Sequence, residues 1–79
     1  MKLPRDINGN QLANILLKYG YKISRQTGSH IRLTTFNSGE HHITIPAHNQ
    51  LKIGTMSGIL KDVAEHFNIT KEQVSQELF

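Results

Sequence analysis

Seventy-nine residues suffice for one small domain and are too few for two. Apolar residues make up 37%, led by nine Ile and eight Leu, and charged residues 19%, a balance that excludes a disordered chain. The absence of cysteine excludes disulfides, thiolate catalysis and sulfur-ligated metal. The longest apolar run is Ile15-Leu16-Leu17, far short of a membrane span, and Met1-Lys2-Leu3-Pro4-Arg5-Asp6 leads into a polar stretch unlike a signal peptide. The expectation is a single cytoplasmic domain over 1–79, without a membrane partner.

Nine Lys and Arg oppose six Asp and Glu, for a net charge of +3. The charge is uneven. Up to Arg32 there are six basic residues and one acid, Asp6; after Arg32 there are three basic residues and five acids. The basic half is the candidate contact surface.

The first predicted element is a helix. Leu12, Ile15, Leu16 and Tyr19 recur as one buried face, Asn8 or Asn10 can cap its start, and Gly20 suits the left-handed position after its end. Three strands follow: Tyr21 to Thr27, His30 to Phe36, and His41 to Ile45, the last ended by Pro46. Thr27-Gly28-Ser29 and Asn37-Ser38-Gly39-Glu40 read as the turns between them. Period two puts Tyr21, Ile23, Ile31, Leu33, Ile43 and Ile45 on one face. It puts Lys22, Ser24, Gln26, His30, Arg32, Thr34, His42 and Thr44 on the other, a sheet with one packed and one wet side. A second helix is expected with Thr55 as N-cap and Met56, Ile59, Leu60, Val63 and Phe67 as its apolar stripe. A short third helix starts at Thr70, where Thr70 and Gln73 make a capping box and Ile69 and Val74 a hydrophobic staple. The expected fold is an α+β two-layer sandwich of order α-β-β-β-α with an extra short C-terminal helix. That is the order of a double-stranded-RNA-binding domain.

Chemistry centres on His30, which follows Gly28-Ser29 and opens the central strand on the wet face. Histidine exchanges its proton near neutral pH. Arg32 lies two residues on, on the same face, and can hold a phosphate bidentately. Backbone N–H groups at Gly28 and Ser29 can meet an anion. The set suits RNA cleavage by acid–base catalysis, although a lone surface histidine is also an ordinary strand residue. His41, His42 and His48 fall within eight residues. Alternation puts His41 and His42 on opposite faces, so no metal site is expected. His42 reads instead as RNA-facing, and His48 as a second titratable group in the loop. Lys22, Arg25, Arg32, Lys52 and Lys61 are candidate phosphate contacts. The wet strand face shows no aromatic for base stacking, so Tyr19, Tyr21, Phe36, Phe67 and Phe79 read mostly as core.

Three segments carry a resemblance. They are Gly20-Tyr21 running on to Arg25-Gln26-Thr27-Gly28-Ser29-His30, then Ile43-Thr44-Ile45-Pro46-Ala47-His48, then Leu51-Lys52-Ile53-Gly54-Thr55-Met56 followed by Ile59-Leu60-Lys61. In order and spacing the chain resembles the HicA-like (YcfA) toxin family of type II toxin–antitoxin systems. The resemblance implies a dsRNA-binding-like fold, metal-independent cleavage of mRNA without the ribosome, no cofactor, and a HicB-type antitoxin partner that covers the toxin. It carries the family's essential histidine, which follows Gly-Ser, onto His30. The RNA-binding set expected around it is Lys22, Arg25, Gly28, Ser29, Arg32, His42 and His48. Ile31 stands where some members have a second histidine, so one imidazole carries the burden. The proton for the leaving oxygen would come from water, His42 or His48. A non-catalytic RNA-binding module on the same basic face is the alternative.

Overall fold

Asn8 starts the first helix in the computed structural model, which describes residues 3–79. Its side chain accepts from the Gln11 N–H at 2.7 Å while Gln11 Oε1 accepts from the Asn8 N–H at 2.8 Å. Helix α1 spans Gly9–Ile15 and tightens into a 3-10 turn at Leu16–Tyr19. Gly20 closes it at φ 81°, the left-handed conformation that glycine takes without strain. Leu12, Ala13 and Leu16 are buried, and Ile15 and Tyr19 are half-buried.

The three strands are β1 (Lys22–Gln26), β2 (His30–Thr35) and β3 (His41–Pro46), antiparallel in the order β1-β2-β3. The central strand alternates without exception: Ile31, Leu33 and Thr35 are fully buried, while His30 and Arg32 are exposed. Helix α2 spans Ile53–Phe67 and α3 spans Lys71–Leu78. Both α1 and α2 lie over the apolar face of β2 and β3, and α3 packs against α2. The layers and order agree with the α+β arrangement expected from the sequence.

Three expectations need correction. Helix α2 begins at Ile53 with Lys52 as N-cap and no side-chain cap, not at Thr55. Leu51 is anchored in the core and its N–H bonds Ile7 O at 2.9 Å, so the chain enters the helix directly after it. Ile23 is 52% exposed instead of buried, because the helices cover β2 and β3 and leave β1 as an overhanging edge. The register of β1 also slips. Lys22 pairs with Thr34 and Ile23 with Leu33, but Arg25 then pairs with Arg32 and Gln26 with Ile31. Ser24 is the extra residue of a β-bulge. Beyond it Arg25, not Gln26, stands level with the exposed side of β2.

The N-terminal segment fixes the loop after β3. The Gly9 N–H donates to His48 O at 3.1 Å, and a Cβ on Gly9 would come within 2.3 Å of Pro46 O, so only glycine allows this approach. The C-terminal end is tied in as well. Thr70 and Gln73 form the expected capping box, Val74 and Leu78 are buried, and Lys71 Nζ bonds Ser57 Oγ. Tyr19 Oη donates to Glu77 Oε2 at 2.6 Å.

Leu33→Ala and Leu60→Ala should each lower the unfolding free energy by about 2–5 kcal/mol in urea titration. Ile23→Thr should change it by less than about 0.5 kcal/mol. A large loss for Ile23→Thr would contradict the overhanging edge.

Candidate nucleic-acid interface

The wet face is built by β2 and read in rows across the strands. In the first row, Pro46 on β3 pairs with His30. The second row holds Arg25, Arg32 and Thr44, and the third holds Lys22, Thr34 and His42. Lys22, Arg25, His30, Arg32 and His42 are all exposed. On the helical side Asp62, Glu65, Glu72 and Glu77 are matched by Lys18, Lys52, Lys61 and Lys71, so the excess positive charge lies on the open sheet face. Its one nearby acid is Glu40, whose carboxylate is 2.7 Å from His42 Nε2.

His30 is held at the end of the β2–β3 ladder. Thr27 N–H bonds His30 O at 3.0 Å across the Gly28-Ser29 turn, and Ala47 N–H bonds Ser29 O at 3.0 Å. Ser29 Oγ lies 3.0 Å from His30 Nδ1. When Nδ1 donates to that oxygen, Nε2 presents its lone pair and can act as a base. Gly28 has no left-handed φ, and a Cβ there would meet open space. Neither space within the protein nor backbone conformation therefore requires glycine there.

The remaining predicted residues separate into two groups. His48 is exposed two residues beyond Pro46, at the His30 end of the sheet, with its carbonyl fixed by Gly9. His42 pairs with Thr34, four residues along β2 from His30, hence about 13 Å away. That distance removes His42 as a direct proton partner for His30. His42 instead ends a chain of hydrogen bonds across all three strands. His42 Nδ1 is 2.7 Å from Thr34 Oγ1, which donates to Ser24 Oγ at 2.9 Å, and Ser24 Oγ donates to Arg32 O at 3.3 Å. With both hydroxyl protons committed in this way, Thr34 Oγ1 is left to accept from His42 Nδ1.

His41 points the other way, as alternation requires. Its Nδ1 is 2.7 Å from Tyr21 Oη and its ring stacks on His66 of α2 at 4.4 Å. Burial, followed by the neighbouring Asp62 charge, pushes the Tyr21 phenol up to about 12, so it stays protonated and donates. The phenol of Tyr19 is raised too, by burial, its hydrogen bond to Glu77 and that carboxylate's charge. Burial lowers the pKa of His41, as do His66 and His42, against an opposing pull from Asp62. Among the described residues no group of three or more His, Asp or Glu is placed to hold a metal ion.

One functional candidate was missed. Phe36 is 72% exposed, not core. It follows β2 in the same parity as His30, Arg32 and Thr34, and it lines a groove with Thr34, Lys22 and His42. The wet face therefore has an aromatic at its far end. The signal was available in the alternation of β2, which runs one residue past the strand.

One packed face, one open face with excess positive charge and a histidine at its rim define a small α+β module of dsRNA-binding-like arrangement. The chain belongs to the HicA toxin family of bacterial toxin–antitoxin systems: the family model matches residues 9–64. It is thus a toxin-type protein, and such a system implies an antitoxin partner. Nothing among curated proteins or solved structures matches the chain. Helix α3 lies beyond the matched region and still contributes Val74 and Leu78 to the core.

The lowered pKa of His41 has a stability consequence. The unfolded chain takes up this proton more readily than the folded one. Stability from neutral His41 is fully present above about 6.5 and is lost as the pH falls through the depressed folded value. The melting temperature should drop between pH 7.5 and pH 5, and His41→Phe should flatten that drop in a thermal-denaturation series.

Proposed function

We propose that this chain is an endoribonuclease that cuts mRNA in the cytoplasm by metal-independent acid–base catalysis, with His30 as the proton-transfer group. A HicB-type antitoxin neutralises it by covering the same face. The observation that carries the reading is the juxtaposition of Arg25 and Arg32 one row from His30. Like charges directly opposite on paired strands destabilise a sheet. A phosphate between them relieves that repulsion, and Arg is suited to grip it bidentately.

In this reading His30 Nε2 takes the proton of a ribose 2′-hydroxyl. The 2′-oxygen attacks the adjacent phosphorus, and the bond from phosphorus to the 5′-oxygen breaks. The products are a 2′,3′-cyclic phosphate and a 5′-hydroxyl. Arg32 and Arg25 stabilise the extra negative charge on the phosphorane. The leaving oxygen takes its proton from water or from His48, which shares the His30 end of the sheet. Gly28, Ser29, Lys22 and His42 complete the RNA-contacting set: the first two beside His30, the last two along the strand's path toward Phe36.

The test is RNA cleavage by purified protein in excess EDTA, with His30→Ala alongside. Wild type should cleave, and His30→Ala should lose about 10²–10⁴-fold in rate while melting at the same temperature. Equal cleavage by the folded variant would overturn the assignment of His30. RNA binding without cleavage by either protein would favour the non-catalytic module.

Arg32→Ala should weaken RNA binding and reduce the slope of log affinity against log salt by about 0.7, the single-strand value per phosphate contact. An unchanged slope would remove Arg32 from the phosphate path.

A further inference from the structure

We propose that the groove beside Phe36 is a nucleobase subsite, in which the ring stacks on a base of the same single-stranded RNA whose phosphate lies at Arg32. The inference rests on the RNA-binding reading above and extends it from phosphate to base. Phe36 is the most exposed large apolar side chain among the described residues, at 72%. It is also firmly placed. The Phe36 carbonyl accepts from Gly39 N–H at 3.3 Å, which closes the turn. Its neighbour Asn37 donates through Nδ2 to Tyr19 O at 3.2 Å and through its N–H to Thr35 Oγ1 at 3.2 Å, and its carbonyl accepts from His66 Nε2 at 2.9 Å. An exposed aromatic side chain carried on a turn whose backbone is fixed from three sides offers a stacking platform.

The groove's other walls suit a nucleotide. Lys22 supplies a cation for the phosphate, exposed Ile23 an apolar wall, and Thr34 and Ser24 hydroxyl oxygens that can still accept from a base edge. Glu40 faces His42 and leaves Lys22 as the unopposed positive charge there. Phe36 lies six residues along β2 from His30, about 20 Å. That distance is within the reach of a strand of a few nucleotides, comparable to the smallest sites of about four nucleotides on single-strand grooves.

The test uses wild-type protein and a 12-nucleotide 2′-O-methyl RNA, which lacks the 2′-hydroxyl needed for cleavage. Phe36→Ala should weaken binding ~10-fold with an unchanged salt slope, and Phe36→Tyr should restore it to within ~2-fold. Placing one abasic nucleotide at each position in turn should reveal one position whose loss equals that of Phe36→Ala, and the two losses should not add. Wild-type affinity for Phe36→Ala, or additive losses at every position, would overturn the subsite and leave the RNA reading standing. A concentration-dependent dimer abolished by Phe36→Ala, with RNA affinity intact, would make the patch a self-association surface and also overturn it. If wild type binds no RNA even at low salt, the RNA reading itself falls, and the subsite with it.

Discussion

The two-residue period of β2 is the constraint on which everything else rests. Ile31, Leu33 and Thr35 must reach the core, so His30, Arg32, Thr34 and Phe36 must face the other way. One strand thereby supplies both the centre of the core and the axis of the candidate site. Slipping it by one residue would bury an arginine and a histidine and expose two aliphatic side chains. The pressure that keeps the site in place is therefore the hydrophobic effect acting on the residues between its members.

The two ends of β2 are secured by different means. At the His30 end the backbone does the holding: Ala47 bonds Ser29, and Gly9 fixes His48 from the start of α1. At the far end side chains do it. Thr35 is fully buried yet satisfied, donating to Tyr19 O and accepting from Asn37 N–H. Gly20 matters here for space as well as conformation, since a Cβ would meet Asn37 Nδ2 at 2.3 Å. The junction joins the end of the first helical segment to the second hairpin and sets the position of Phe36. Helix α3, beyond the family match, closes the same region through the Tyr19–Glu77 hydrogen bond.

Charge follows the layers. The acids of α2 and α3 are balanced by Lys18, Lys52, Lys61 and Lys71 on the helical side, whereas Lys22, Arg25 and Arg32 on the open sheet face only Glu40. A modest net charge of +3 thus becomes a one-sided field. The four histidines of the second half also part company. His42 and His48 stay on exposed positions, whereas His41 and His66 stack between sheet and helix near Tyr21 and Asp62. Proximity in sequence groups them wrongly; the sheet sorts them.

By itself the sequence determined the element order, the packed face of β2 and β3, the cap at Thr70, and the place of His30 on the wet side, and it narrowed the first cap to Asn8 or Asn10. All of these follow from short-range rules of period, capping and turn chemistry that neighbouring residues settle among themselves. The tertiary structure alone decided the rest. The bulge at Ser24 brings Arg25 level with Arg32, and no local signal places it, because the alternation ends at Ile23 and Ser24-Arg25-Gln26-Thr27 is polar throughout. The exposure of Ile23 depends on where the helices stop, and the early start of α2 depends on the anchoring of Leu51 against Ile7. The distance between His42 and His30 needs the register of β3 on β2, a pairing between segments that the linear pattern does not specify.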